Sequence, residues 1–141
     1  MSGTIDIARV HTLAELQPLD PAELIETITA GLPAALVREL ASRLDLNLEA
    51  VAGLLRLTPR TIQRRLEVGH LELSESERLW ELARLFFRAV EVLESEPGAV
   101  QWFKSPSQAL GWRSPLSLAD TAVGLRELEN VLGRIEHGVF S

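Results

Sequence analysis

The run RLWELARLFFRAVEVLE at residues 78–94 constrains the fold more than any other part of the chain. Read at helical spacing, its polar positions 78, 81, 84, 88 and 91 fall on one narrow stripe. Leu79, Trp80, Leu82, Leu85, Phe86, Phe87, Val90 and Leu93 surround that stripe. So wide an apolar face has to be buried on several sides, by the chain's own helices or by a second copy. Glu81, Arg84, Arg88 and Glu91 interrupt the run, and a membrane-spanning helix would have to bury them at large cost, so no membrane association is expected.

Helix signals punctuate the rest, and strand-like alternation with β-branched residues is confined to the first ten positions, which predicts an all-α protein. Asp20, Pro21 and Glu23 have the spacing of an N-cap, a first-turn proline and a capping-box acid, and Gly31 can end that helix. Pro33 is expected to open a second helix to about residue 45. Asn47 can cap a third through about Leu55, and Thr58 with Pro59 a fourth that Gly69 stops. SESE at 74–77 repeats the capping box ahead of the long apolar helix, which is expected to reach about Ser95. EPG at 96–98 is a turn signal before a short AVQWFK helix, and SPSQALGWRSPLSLAD supplies turns and brief helical pieces. Thr121 or Asp120 can cap a last helix with Val123, Leu128, Val131, Leu132 and Ile135 as its core stripe and Gly138 at its end. Gly124 and Gly133 inside it are each unfavourable by about 1 kcal/mol relative to alanine, and close backbone packing would explain both. Trp102 and Trp112 are assigned to the core or to support of a binding surface. The expected organisation is a flexible or loosely packed segment 1–19, a compact helical domain 20–73 and a second helical domain 74–141.

The chain has 141 residues and no cysteine, so disulfides and thiolate metal sites are excluded. The N-terminus MSGTIDIARVHTLAEL lacks the basic start and apolar run of a signal peptide, which makes a cytoplasmic location the default expectation. Net charge is −6, divided as −4 over residues 1–40, +1 over 41–72 and −3 over 73–141, so only the middle third can attract phosphate. That third contains TPRTIQRRLEVG at 58–69, with three arginines and no acid up to Leu66. NLEAVAGLLRLTPRTIQRRL has the dimensions of a helix-turn-helix: a short helix, a turn near Arg56-Leu57 and a capped second helix. Small Ala52 permits a close crossing, and Val51, Leu55, Leu57, Ile62 and Leu66 supply apolar contacts. Arg60, Thr61, Gln63, Arg64 and Arg65 then face outward. In a major groove arginine can grip guanine and glutamine can pair with adenine, which makes Arg60, Gln63 and Arg64 candidates for base reading. Thr58, Thr61 and Arg65 are better placed for phosphates. A solvated arginine face on an ordinary bundle helix would use the same residues. Arg56 stands where many such turns carry glycine. One such helix reads only a few base pairs, so operator binding calls for a homodimer, for which the helix at 75–95 could supply the interface.

The segment LTPRTIQRRLEVGHLELSESERLWELARLFFRAVEVL, followed by WF at 102–103, ALGWRSPLSLADTAVG at 109–124 and the terminal VLGRIEHGVFS, resembles the Xre/MbcA/ParS family of antitoxins over roughly residues 35–141. The resemblance implies an Xre-like helix-turn-helix bundle followed by a small helical domain that dimerises and binds toxin. It further implies a cognate RES-domain toxin of ADP-ribosyltransferase-like fold that consumes or uses NAD. The C-terminal module would cover that toxin's active site, and the helix-turn-helix would repress the shared operon.

The last helix suits docking, with Arg126, Glu127, Glu129, Asn130, Arg134 and Glu136 on its polar side and His137, Val139, Phe140 and Ser141 beyond it. Phe140 beside arginine has the composition of an interface hot spot, and Val139 with Phe140 could equally staple the helix end. No enzyme is expected: His11, His70 and His137 are widely separated, and there is no glycine-rich phosphate loop, cofactor signature or metal-ligand motif. Two other readings stay open, a stand-alone dimeric helix-turn-helix regulator without a toxin partner and a purely structural interaction protein.

Overall fold

Local caps decide where most of the helices begin. In the computed structural model, which describes residues 10–138, seven α-helices and three short 3-10 turns account for the regular structure, with no β-strand among the described residues. The strand-like alternation lies almost wholly outside the described residues. The chain divides into two compact units, one up to Trp80 and one from Glu81.

In the first unit, α1 spans Pro21–Ala30. The Asp20 carboxylate accepts the Glu23 N–H at 2.8 Å and the Glu23 carboxylate accepts the Asp20 N–H at 3.1 Å, as the capping box requires. Gly31 ends α1 at φ +97°, and a Cβ there would lie 2.5 Å from the Leu71 carbonyl oxygen, so glycine is needed both for the backbone and for the approach. The second helix, α2, runs Ala35–Leu44 and begins two residues later than expected. Residues 32–34 are used otherwise. Leu71 donates to the Leu32 carbonyl at 2.8 Å, Ala34 donates to the Gly69 carbonyl at 3.0 Å, and Pro33 forms an isolated antiparallel bridge with His70. These contacts close the unit by pairing the entry of α2 with the exit of the fourth helix.

Then follow α3 (Leu48–Leu54), α4 (Pro59–Val68) and α5 (Leu73–Leu93), within which the division at Trp80 falls. The SESE capping box does not form as read. Glu72 takes the cap position: its carbonyl accepts the Ser76 N–H at 2.8 Å, and its N–H donates to the Glu75 carboxylate at 2.9 Å. Ser76 is fully buried, and its hydroxyl accepts the Leu32 N–H at 2.9 Å, a contact spanning 44 residues. The expected loose segment 1–19 also departs from expectation where it is described. A 3-10 turn at Leu13–Leu16 buries both leucines completely, and the Leu13 N–H donates to Glu39 at 2.8 Å. Each buried leucine stabilises by about 1.5–3 kcal/mol, enough to order a segment this short. Leu36, Leu40, Val51, Ile62 and Leu71 are among the other buried residues that form the core of this unit.

In the second unit the continuation of α5 packs with α6 (Glu96–Lys104) and α7 (Ala122–Glu136). EPG is the first turn of α6 and no separate turn, because Ser95 caps the Gly98 N–H at 2.9 Å and proline is tolerated where the helix needs no N–H. Phe86 stacks on Phe103 with ring centroids 6.4 Å apart, and half-buried Trp102 meets Phe103 edge-on at 4.9 Å. Thr121 caps α7. Leu128, Val131 and Leu132 are buried as expected, Ile135 is half-buried, and Val123 is 73% exposed, so the apolar stripe begins one turn later than the sequence implied. Gly124 is buried with a hypothetical Cβ 1.7 Å from the Leu118 carbonyl oxygen, whereas one at Gly133 would meet no described atom within 4 Å. Close backbone packing therefore accounts for Gly124 alone.

The apolar face of α5 is largely covered within the single chain: Leu79, Leu82, Ala83, Leu85, Phe86 and Ala89 are buried, and Trp80, Phe87, Val90 and Leu93 are half-buried.

Candidate functional site

Helices α3 and α4 are joined by a tight turn. Arg56 occupies it at φ +62°, the left-handed region that glycine usually fills, with its N–H donating to the Gly53 carbonyl at 3.0 Å. Leu57 donates to the Ala52 carbonyl at 2.9 Å, so the turn remains closed without a glycine. Val51, Ala52, Leu55, Leu57 and Ile62 are buried, and the absence of a side chain beyond Cβ at Ala52 allows the close approach. Leu66, expected inward, is only half-buried.

Complete burial of Ile62 fixes the rotation of α4 about its axis. Arg60, Gln63, Arg64 and Glu67 are exposed on the opposite face, as the spacing predicts. The Thr58 hydroxyl accepts the Thr61 N–H at 3.1 Å and is hydrogen-bonded to the Thr61 hydroxyl at 3.0 Å, which leaves the start of the helix capped and solvent-facing. With the helix N-terminus behind them, these groups can offer donors to a phosphate.

Arg65 departs from the outward reading. Its Nε and Nη2 donate to the two Glu75 oxygens, both at 2.8 Å, and Glu72 stands 3.5 Å away. The Arg65 and Glu75 side chains are 17% and 9% exposed. This fork-to-fork geometry holds the Glu75 carboxyl below the usual carboxylate range, chiefly through the Arg65 hydrogen bonds, and raises Arg65 in turn. Arg65 is thus committed to bracing α4 against α5, and its expected place on the phosphate-facing surface is not observed. The sequence offers no local signal for this pair, since the partners lie ten residues apart on different helices.

On α7, Arg126, Glu127 and Asn130 are exposed, and Arg134 is half-buried within 3.9 Å of Glu127. Arg126 borders a small cleft of about 130 Å³ with Glu81, Arg84, Ala122, Leu125 and Glu129. Glu136 is tied to Arg88 by two hydrogen bonds, one of 3.1 Å, and this contact holds its carboxyl below the usual range. Glu129 is likewise bridged to Arg84 at 3.2 Å and Arg88 at 3.4 Å. These two acids belong to an ion-pair network within their own unit, which leaves Arg126, Glu127, Asn130 and exposed His137 as the more available groups on this face. Val139, Phe140 and Ser141 lie outside the described residues.

Trp112, assigned to the core or to support of a surface, is 68% exposed at φ +65°. The signal that could have placed it is the dipeptide Gly111-Trp112 between two turn-forming stretches. Among the described residues no three His, Asp or Glu side chains are grouped to hold a metal ion, and no helix is long and apolar enough to cross a membrane.

These features define a two-part helical protein, a helix-turn-helix module followed by a second helical module. Residues 23–84 match the antitoxin Xre-like helix-turn-helix domain, and residues 88–138 match the antitoxin Xre/MbcA/ParS C-terminal toxin-binding domain. The chain belongs to the Xre/MbcA/ParS antitoxin family. It is 40% identical over 80 residues to Antitoxin Xre of Yersinia enterocolitica, a match covering 56% of this chain and 54% of that protein, so the chain spans about half the length of that relative. It is 29% identical over 116 residues to Antitoxin Xre of Photorhabdus laumondii, covering 81% of this chain and 78% of that one. Among solved structures it resembles a chain in the crystal structure of the M. tuberculosis MbcT-MbcA toxin-antitoxin complex. That match has a TM-score of 0.59 and 27% identity and covers 77% of this chain and 96% of that chain.

Proposed function

We propose that this protein is an antitoxin that binds a cognate toxin and holds it inactive, and that its helix-turn-helix binds operator DNA to regulate its own operon. The observation that carries the reading is the succession of two matched modules in one chain, a helix-turn-helix with Arg60, Gln63 and Arg64 exposed on one face and a toxin-binding domain over 88–138. The toxin is a RES-domain protein of ADP-ribosyltransferase-like fold that consumes NAD, a reading supported by the resemblance over residues 35–141. This chain is not the enzyme of the pair. It inhibits by covering the toxin's active site, with Arg126, Glu127, Asn130, Arg134, Glu136, His137, Val139, Phe140 and Ser141 as the candidate toxin-facing residues. Arg126, Glu127 and Asn130 contribute polar contacts, Phe140 is the candidate aromatic anchor, and Glu136 would first have to leave Arg88.

At the operator, Arg60, Gln63 and Arg64 read base edges while Thr58 and Thr61 meet phosphates. A homodimer sets two such helices about one DNA turn apart. Residues 20–73 serve DNA binding and 74–141 toxin binding and dimerisation.

The test is co-expression with the adjacent reading frame. Expression of that frame alone should arrest growth and lower cellular NAD, and this chain should restore both and co-purify with its product. A harmless neighbour that forms no complex, together with a gel shift on the chain's own promoter, would favour a stand-alone regulator.

A further inference from the structure

Residues Leu110–Arg113 form a reverse turn whose two central residues, Gly111 and Trp112, both have φ +65°. The Arg113 N–H closes it on the Leu110 carbonyl at 3.4 Å. Outside it, Trp112 donates to the Ser107 carbonyl at 2.8 Å and Ser107 donates to the Arg113 carbonyl at 3.0 Å. Positive φ at both centres is the pattern of a type I′ turn, whose positions are dominated by glycine, asparagine and aspartate because a Cβ crowds the left-handed backbone. Tryptophan has none of the short polar side chain that eases this conformation.

Nor does packing compensate. The side chain is 68% exposed, and Trp112 is the one exposed aromatic among the described residues. The backbone beneath it is fixed, with Leu110 and Pro115 buried on either side. A large apolar ring held out on a rigid, disfavoured turn is costly for the isolated chain, and strain of this kind gathers where a partner uses it.

We propose that Trp112 is a docking anchor for the toxin, its indole entering an apolar cleft on that protein whose rim accepts the indole N–H. This rests on the antitoxin reading above. The occupant is argued from continuity: the turn lies at the centre of the 88–138 segment matched to a toxin-binding domain. Residues 73–141 carry a net charge of −3, which disfavours DNA as the occupant. An indole anchor loses little conformational entropy on binding, and tryptophan is the residue most enriched among interface hot spots.

The experiment uses the full chain, the product of the adjacent reading frame and three variants of position 112. Trp112→Gly supplies the residue that the backbone favours, so its melting temperature should equal or exceed that of the wild type while toxin affinity falls about thirty-fold, the loss typical of a hot spot. Trp112→Ala should lose as much affinity, and Trp112→Phe should keep most of it. Wild-type binding measured alongside separates two failures: no binding by the wild type overturns the antitoxin reading, whereas wild-type binding matched within two-fold by Trp112→Gly overturns the anchor. A clear fall in the melting temperature of Trp112→Gly would make the indole a packing group and overturn it too. So would loss of self-association in sedimentation with toxin binding unchanged, which would assign the turn to a second copy.

Discussion

Replacing Glu75 tests the brace between α4 and α5. The carboxylate accepts two hydrogen bonds of 2.8 Å from Arg65 and one of 2.9 Å from the Glu72 N–H. Its side chain is 9% exposed and that of Arg65 17%. Removing one partner of a fully buried pair costs about 3–5 kcal/mol, and an exposed pair contributes at most about 1 kcal/mol. Water still reaches part of the Arg65 guanidinium, so Glu75→Gln is expected to destabilise by about 2 kcal/mol. Glu75→Ala, which also leaves the Glu72 N–H without its acceptor, should cost about 3 kcal/mol. For a chain of 141 residues the glutamine variant should melt about 6 °C lower. The sign of the pH dependence follows from the carboxyl, whose folded value is depressed first by Arg65. Its contribution is complete above the ordinary carboxylate value of the unfolded chain and is lost as pH falls through the lower folded value. The advantage of the wild type over Glu75→Gln should therefore be full near neutrality and shrink below about pH 4. Urea unfolding of both proteins at several pH values measures it. A difference under about 0.5 kcal/mol at neutral pH, or one that does not change on acidification, would mean that solvent screens the pair and would refute the reasoning.

Gly124→Ala, whose Cβ would meet the Leu118 carbonyl oxygen at 1.7 Å, should destabilise strongly, and Gly133→Ala, with no described atom within 4 Å, should raise stability by up to about 1 kcal/mol; thermal melts separate the two. Leu13→Ala empties a fully buried position in the N-terminal 3-10 turn and should cost about 2–5 kcal/mol by denaturant titration. Alanine at Arg60, Gln63 or Arg64 should each weaken operator binding by about 1–3 kcal/mol in fluorescence anisotropy while leaving the melting temperature unchanged, since all three side chains are exposed. A melting temperature that falls with affinity would reassign them to folding.

Much of the fold was legible because its instructions are local. Asp20, Asn47, Thr58 and Thr121 cap their helices through hydrogen bonds to residues three positions on, a distance over which sequence reads directly. The same holds for the outward setting of Arg60, Gln63 and Arg64, which follows from helical periodicity once Ile62 is inward.

Tertiary structure decided what periodicity leaves degenerate. Arg65 lies between the two faces of α4, and only the acid at 75 on another helix determines that it turns inward to a carboxylate. Ser76 looked like part of a cap and became the buried acceptor for Leu32, because the start of α2 brought an unpaired N–H to it. The N-terminal stretch looked loose because its four-residue 3-10 turn is too short to show a period, yet Leu13 and Leu16 find a core already built by later helices. Trp112 shows the same limit from the other side. Composition places a tryptophan inside, whereas a turn closed by Ser107, Leu110 and Arg113 carries it outward. The sequence determined the helices, four of their caps and the family; partners many residues apart determined which charges stay available and which aromatic meets solvent.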